Sequence, residues 1–131
     1  MFDINPTDAA PIWRQIEEGM RRMIALGALQ PGDSIPSVRD LAQQLRVNPN
    51  TVARAYQRLT EHGVFAVRRG EGTFVADEPS QPKRSERSEV LRDASTRYAS
   101  AAISVGASLD DAVDELNTSY GKFVHEHRRK S

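Results

Sequence analysis

The chain has 131 residues, 38% of them hydrophobic, with 18 Lys and Arg against 18 Asp and Glu and a formal net charge of +0. That length suits one small domain and an appendage, and the modest apolar content leaves the appendage short of a core unless something covers it. Having no cysteine, the chain forms neither disulfides nor thiolate metal sites, and the lack of a long apolar run or a signal-peptide layout predicts a cytoplasmic protein with no membrane partner.

Pro6 and Asp8 favour an irregular path through residues 1–10, and Pro11 then opens a helix. From Ile12 to Leu26 an apolar stripe runs through Trp13, Ile16, Met20, Met23 and Ile24, while Arg14, Glu17, Glu18, Arg21 and Arg22 are expected to face outward. This reads as a supporting helix whose Trp and Met side chains are core. Gly27 and then Pro31-Gly32-Asp33 break it.

Two short amphipathic patterns follow. Val38, Leu41, Ala42 and Leu45 form one helical stripe, with Ser37 at the N-cap position and Asp40 as its capping partner. Arg46 to Asn48 make a turn, and Asn48-Pro49 places a cap before a proline at the first helical position, where its missing N–H costs nothing. The second helix turns Val52, Ala55, Tyr56 and Leu59 inward and ends at His62-Gly63. Asn50, Thr51, Arg54, Gln57 and Arg58 are then expected to point outward. These are side chains able to donate to guanine, pair with adenine or touch a thymine methyl from a helix laid in the major groove. Arg39, beside Ser37 at the start of the preceding helix, is placed to hold a phosphate or a base edge at the groove's rim.

Val64 to Val67 and Thr73 to Val75 are strand-prone, and Arg68-Arg69-Gly70-Glu71-Gly72 supplies the turn between them. Arginines beside glycines let the backbone approach a phosphodiester chain, with the guanidiniums along it or in the minor groove. A solvated hairpin tip would look the same, so this wing gains meaning from the helices before it. Between Ser34 and Ala76 six arginines (39, 46, 54, 58, 68, 69) stand against Asp40, Glu61 and Glu71, a local excess inside a neutral chain. The fold class is mainly α with a small β wing: a winged helix-turn-helix over residues 1–77, a linker or helix start over 78–88, and a helical hairpin with a basic tail over 89–131.

In 78–88 apolar periodicity lapses, and Lys83, Arg84 and Arg87 read as solvated. It returns with Leu91, Ala94, Tyr98, Ala101, Ala102 and Val105, stops at Gly106, and resumes after a Ser108/Asp111 cap with Leu109, Ala112, Val113, Leu116, Tyr120, Phe123 and Val124. Such a hairpin is expected to bury one face internally and offer apolar edges to a second copy. Its dimerisation contacts would be Leu91, Ala94, Tyr98, Ala102, Val105, Leu109, Val113, Leu116, Tyr120 and Phe123. The alternative is that it folds back on its own winged unit. His62, His125 and His127 share no helix face, so no metal site is expected, and Arg128-Arg129-Lys130 suits the dipole of a helix end.

Three stretches carry a resemblance. Pro36 to Ala42, Val47 to Tyr56 and Arg68 to Val75 closely resemble the DNA-binding domain of GntR-type bacterial transcriptional regulators, and Asn48-Pro49-Asn50-Thr51-Val52 with the short C-terminal part looks like the YtrA subfamily. The match covers roughly residues 8–76; the remainder is similar only in length and helical character. The resemblance implies a dimeric, repressor-like regulator in which Arg39, Thr51, Arg54, Gly70 and Gly72 meet double-stranded operator DNA, and Thr73 follows the wing turn.

The reading is therefore a sequence-specific DNA-binding regulator acting as a homodimer on a pseudo-palindrome. The alternative is a winged-helix protein-interaction module without sequence-specific DNA binding. No Ser/His/Asp set, carboxylate pair or phosphate-binding glycine loop ahead of a helix is present, so neither an enzyme nor a cofactor is expected. Residues 89–127 are too few to enclose a ligand cavity of the usual ~300 Å³ within one subunit. That leaves either no small-molecule effector or one held at the dimer interface.

Overall fold

The structure, a computed structural model, describes residues 1–130 and side chains as far as Glu126; the readings on His127 and Arg128-Arg129-Lys130 concern side chains outside the described residues. The chain divides into two compact units, Met1–Ser80 and Gln81–Ser131.

In the first unit, α1 (Ile12–Ala25), α2 (Val38–Leu45) and α3 (Pro49–Glu61) precede an antiparallel pair, β1 (Phe65–Arg68) and β2 (Gly72–Val75). The helices form where the apolar stripes put them, and their ends are set by local chemistry. Ser37 accepts the Asp40 N–H at 3.1 Å and Asn48 accepts the Asn50 N–H at 2.8 Å, each satisfying a donor that the first helical turn leaves free. Pro11 flanks α1 and Pro49 begins α3. Between α2 and α3, Arg46 takes up a left-handed conformation, φ 57° and ψ 50°, uncommon for a residue with a Cβ.

One core joins these elements. Ile16, Met20 and Met23 of α1, Leu41 and Ala42 of α2, and Val52, Ala55, Tyr56 and Leu59 of α3 pack with Leu29, Ile35, Val64, Phe65 and Val75. Fully burying each large aliphatic side chain contributes roughly 1.5–3 kcal/mol. Phe65 pairs with Val75 across the sheet and meets Tyr56 edge-on at 5.3 Å, which fixes the wing to α3. Ahead of α2 the chain meets the wing at an isolated bridge, Ser34 to Phe74, flanked by the Ile35 N–H on the Thr73 carbonyl at 2.9 Å. The Asp33 turn leaves too little extended chain for more.

Glu17 corrects one expectation. It was placed on the outer face of α1, yet it is only 8% exposed, because α3 lies across it and offers Arg58 as a counter-ion.

In the second unit, α4 (Arg84–Ser104) and α5 (Leu109–Lys130) form a hairpin. Gly106, at φ 77°, turns the chain, and Ser108 and Asp111 exchange hydrogen bonds as a reciprocal cap, at 3.1 and 3.2 Å. The Tyr98 hydroxyl donates to the Ala112 carbonyl at 2.7 Å and ties the helices. Helix α4 starts at Arg84, inside the stretch read as linker or helix start.

The expectation that the hairpin buries one of its own faces is corrected: among the described residues neither helix holds a buried side chain. Two helices present one another a single line of contact, and their stripes are too broad to close on it. Val105 is 80% exposed, Ile103 76% and Tyr120 70%. Between the helices runs an apolar groove of about 320 Å³, lined by residues that include Tyr98, Ala102, Ile103, Leu109, Val113 and Leu116. It reaches the volume that one hairpin was not expected to supply, as an open groove and not an enclosed cavity.

Candidate nucleic-acid interface

Helix α3 is held by its inner side and left open along its outer one. Its four core residues are buried, and the Tyr56 hydroxyl donates to the Pro36 carbonyl at 2.7 Å, clamping α3 to the start of α2. Burial pushes the Tyr56 hydroxyl pKa well above the ordinary tyrosine value, so the group stays a donor across the physiological range.

Asn50, Arg54 and Gln57 are exposed at three- and four-residue intervals along this helix, so they share its open face. Asn50 lies in the first turn, its backbone N–H capped by Asn48 and its side chain exposed. Gln57 donates to Glu61 Oε1 at 3.1 Å in an exposed contact. Thr51 is half-buried beside the cap, and Arg39 stands exposed on α2. The Ser37 oxygen is used as an N-cap acceptor, which leaves its O–H to donate.

Arg58 departs from the outward set. Its Nε lies 3.1 Å from Glu17 Oε1, and its guanidinium carbon sits 4.6 Å from the centre of the Trp13 ring. The side chain is thus turned back along α1. Arg54 lies over the same indole at 4.5 Å, but among the described residues it has no carboxylate partner. Trp13, read as core, does pack against the core, but its ring also lies under these arginines. It falls at the edge of the α1 stripe, half-buried, and periodicity alone reads it as core.

At the wing, Glu71 N–H to the Arg68 carbonyl at 2.9 Å closes the turn, and Gly70 and Gly72 take φ values of 79° and 118° that a side chain would strain. Arg68 lies over Phe74 at 4.2 Å and 3.9 Å from Asp77, whereas Arg69 extends from the tip, exposed. Thr73 is partly buried in β2, its carbonyl spent on Ile35. The ten dimerisation candidates fall in the second unit, where Tyr98, Ala102, Leu109, Val113 and Leu116 line the groove. Among the described residues no group of His, Cys, Asp and Glu is placed to hold a metal ion, and no helix is long and apolar enough to cross a membrane.

Capped α2, a tight turn, an open-faced α3 and an arginine-tipped hairpin together make a winged helix-turn-helix of the kind that delivers a helix to a DNA groove. Residues 13–75 match the family described as bacterial regulatory proteins, gntR family. The chain is 40% identical over 77 residues to the HTH-type transcriptional repressor YtrA of Bacillus subtilis, spanning 59% of that protein's length. Among solved structures it is similar to YtrA from Sulfolobus acidocaldarius, a GntR-family transcription factor (31% identity, 92% of this chain, 97% of that one, TM-score 0.54). A transcriptional antiterminator from Listeria monocytogenes matches over 95% of this chain and 92% of its own, with 29% identity and a TM-score of 0.71. The AraR DNA-binding domain in complex with operator ORX1 matches over 58% of this chain and 93% of its own, with 31% identity and a TM-score of 0.51. The chain belongs to the gntR family of bacterial regulatory proteins, in its YtrA-like branch.

Proposed function

We propose that this protein is a sequence-specific DNA-binding transcriptional regulator, repressor-like, that binds a pseudo-palindromic operator as a homodimer. The observation that carries the proposal is the open face of α3. Asn50, Arg54 and Gln57 stand exposed there, on a helix whose opposite side is locked into the core. Arg39 and Arg69 supply phosphate contacts on either side of the inserted helix, and the wing glycines admit the backbone between them. That the similar AraR DNA-binding domain was solved in complex with an operator supports DNA binding by this unit.

The exposed apolar residues of α4 and α5 support the homodimer, since a second hairpin laid on the first covers them. Half-sites then lie about one helical turn apart, roughly 10 bp, or a small multiple of it. A small-molecule effector would be held where two hairpins meet, closing the groove that one leaves open.

Selecting duplexes from a random pool with the full chain tests the proposal. The expected product is a two-fold symmetric consensus, with Arg54→Ala losing about 1–3 kcal/mol of discrimination at one base pair of each half-site. Recovery of no consensus, or full discrimination by Arg54→Ala in a competition gel shift, refutes it.

A further inference from the structure

We propose that Trp13 is a positioning residue for base reading: its indole holds Arg54 of α3 in the orientation that meets the groove. This inference rests on the DNA-binding reading above and adds to it a residue on a helix that does not itself enter the groove.

The argument starts from the contrast between Arg54 and Arg58, one helical turn apart on α3. Both guanidiniums lie over the Trp13 ring, at 4.5 and 4.6 Å from its centre. Arg58 also donates its Nε–H to Glu17 Oε1 at 3.1 Å, so that donor is spent on a carboxylate and the side chain is drawn toward α1. Among the described residues, Arg54 has only the ring. A guanidinium interacts in two independent ways: its plane stacks on an aromatic face, and its edge donates in-plane hydrogen bonds. Stacking therefore restrains Arg54 without consuming the donors that would address the O6 and N7 acceptors of guanine. A carboxylate at the same place would restrain it and also compete with the base.

Arginine carries large rotamer entropy, and ordering it at the moment of binding weakens each hydrogen bond it forms. Trp13 removes part of that loss beforehand. The ring is itself fixed, because Trp13 packs against the core and Arg58, anchored by Glu17, lies over it as well. Glu17, Arg58, Trp13 and Arg54 thus form a chain of support running from the buried side of α1 to the open face of α3.

The test uses the full chain, the duplex it selects from a random pool, and the same duplex changed at the base pair to which Arg54→Ala is indifferent. Trp13→Leu is expected to lower discrimination between these two duplexes about 3-fold, the scale of a solvent-facing cation–π contact. Binding to a scrambled duplex and the salt slope should stay as they are. Trp13→Phe restores most of the discrimination, and in the Arg54→Ala background Trp13→Leu has no further effect on it. Equal weakening on all duplexes, or the same loss with and without Arg54, overturns the assignment and leaves Trp13 as packing alone.

Should Trp13→Leu unfold, the single tryptophan of the chain supplies a second reading. Its emission should change on Arg54→Ala, and more with the selected duplex than with the scrambled one; an identical response to both duplexes overturns the proposal. If the unmodified chain distinguishes no duplexes at all, the DNA-binding reading itself fails. If it distinguishes them and Trp13→Leu does so equally well, only the role given to Trp13 is refuted.

Discussion

Breaking the Arg58–Glu17 pair from its two ends should have unequal effects, and the inequality follows from where each group sits. The Glu17 side chain is 11% exposed and that of Arg58 40%, with 3.1 Å between Nε and Oε1. Stranding one member of a dry ion pair costs about 3–5 kcal/mol, while breaking an exposed one costs about 0–1 kcal/mol. Arg58→Ala leaves a carboxylate with little access to water and also removes the Trp13 stack, so its cost lies toward the dry limit, about 2–3 kcal/mol. Glu17→Ala leaves a guanidinium that can turn into solvent, and about 1 kcal/mol is expected. For a unit of this size each kcal/mol moves the melting temperature by roughly 4–8 °C. Urea and thermal unfolding of the full chain, followed by far-UV circular dichroism, measure both variants. A loss from Glu17→Ala equal to or larger than that from Arg58→Ala would refute the reasoning. So would a folded Arg58→Ala protein whose base discrimination fell as far as that of Arg54→Ala, because the pair would then belong to the reading surface and not to its support.

Three further outcomes are expected. A Cβ at Gly19 would lie 2.7 Å from the Phe2 ring, so Gly19→Ala should lose its helix-propensity gain of about 1 kcal/mol in the unmodified chain and show it in a Phe2→Ala background; equal effects in both backgrounds, measured by urea unfolding, would exclude the clash. Tyr56→Phe orphans the Pro36 carbonyl and should destabilise by about 1 kcal/mol. The folded state holds the Tyr56 proton more tightly than the unfolded chain does. The stability it contributes is therefore intact below the unfolded tyrosine pKa of about 10 and falls as pH rises above it, a decline that Tyr56→Phe should flatten. Leu116→Asp, in the hairpin groove, should convert a dimer to a monomer in sedimentation while leaving the melting of the winged unit in place; a persistent dimer would move the interface elsewhere.

The features legible in the amino-acid order were those decided within a few residues. Ser37 with Asp40, Asn48 with Pro49 and Ser108 with Asp111 mark helix starts because the capping groups belong to the same turn as the donors they satisfy. The stripes of α1 and α3 follow from helical period alone, as does the arginine-and-glycine tip between two strand-prone runs. The left-handed Arg46 was not legible: the α2 C-terminus closes locally, with the Val47 N–H on the Ala42 carbonyl at 3.0 Å, but that closure ordinarily takes glycine or asparagine at the left-handed position.

Tertiary structure decided the rest. Glu17 and Arg58 are 41 residues apart, and each reads as a solvated charge when its own helix is considered alone. Their burial and pairing, and the placing of Trp13 beneath two arginines of α3, come into being only where α1 crosses α3. In the hairpin the same rule works in reverse: the apolar stripes announced themselves, but too little of α4 faces α5 for either to be covered. A side chain's chemistry is written in its type and period. Whether it is spent on a neighbour or left for a partner depends on what the fold sets opposite it.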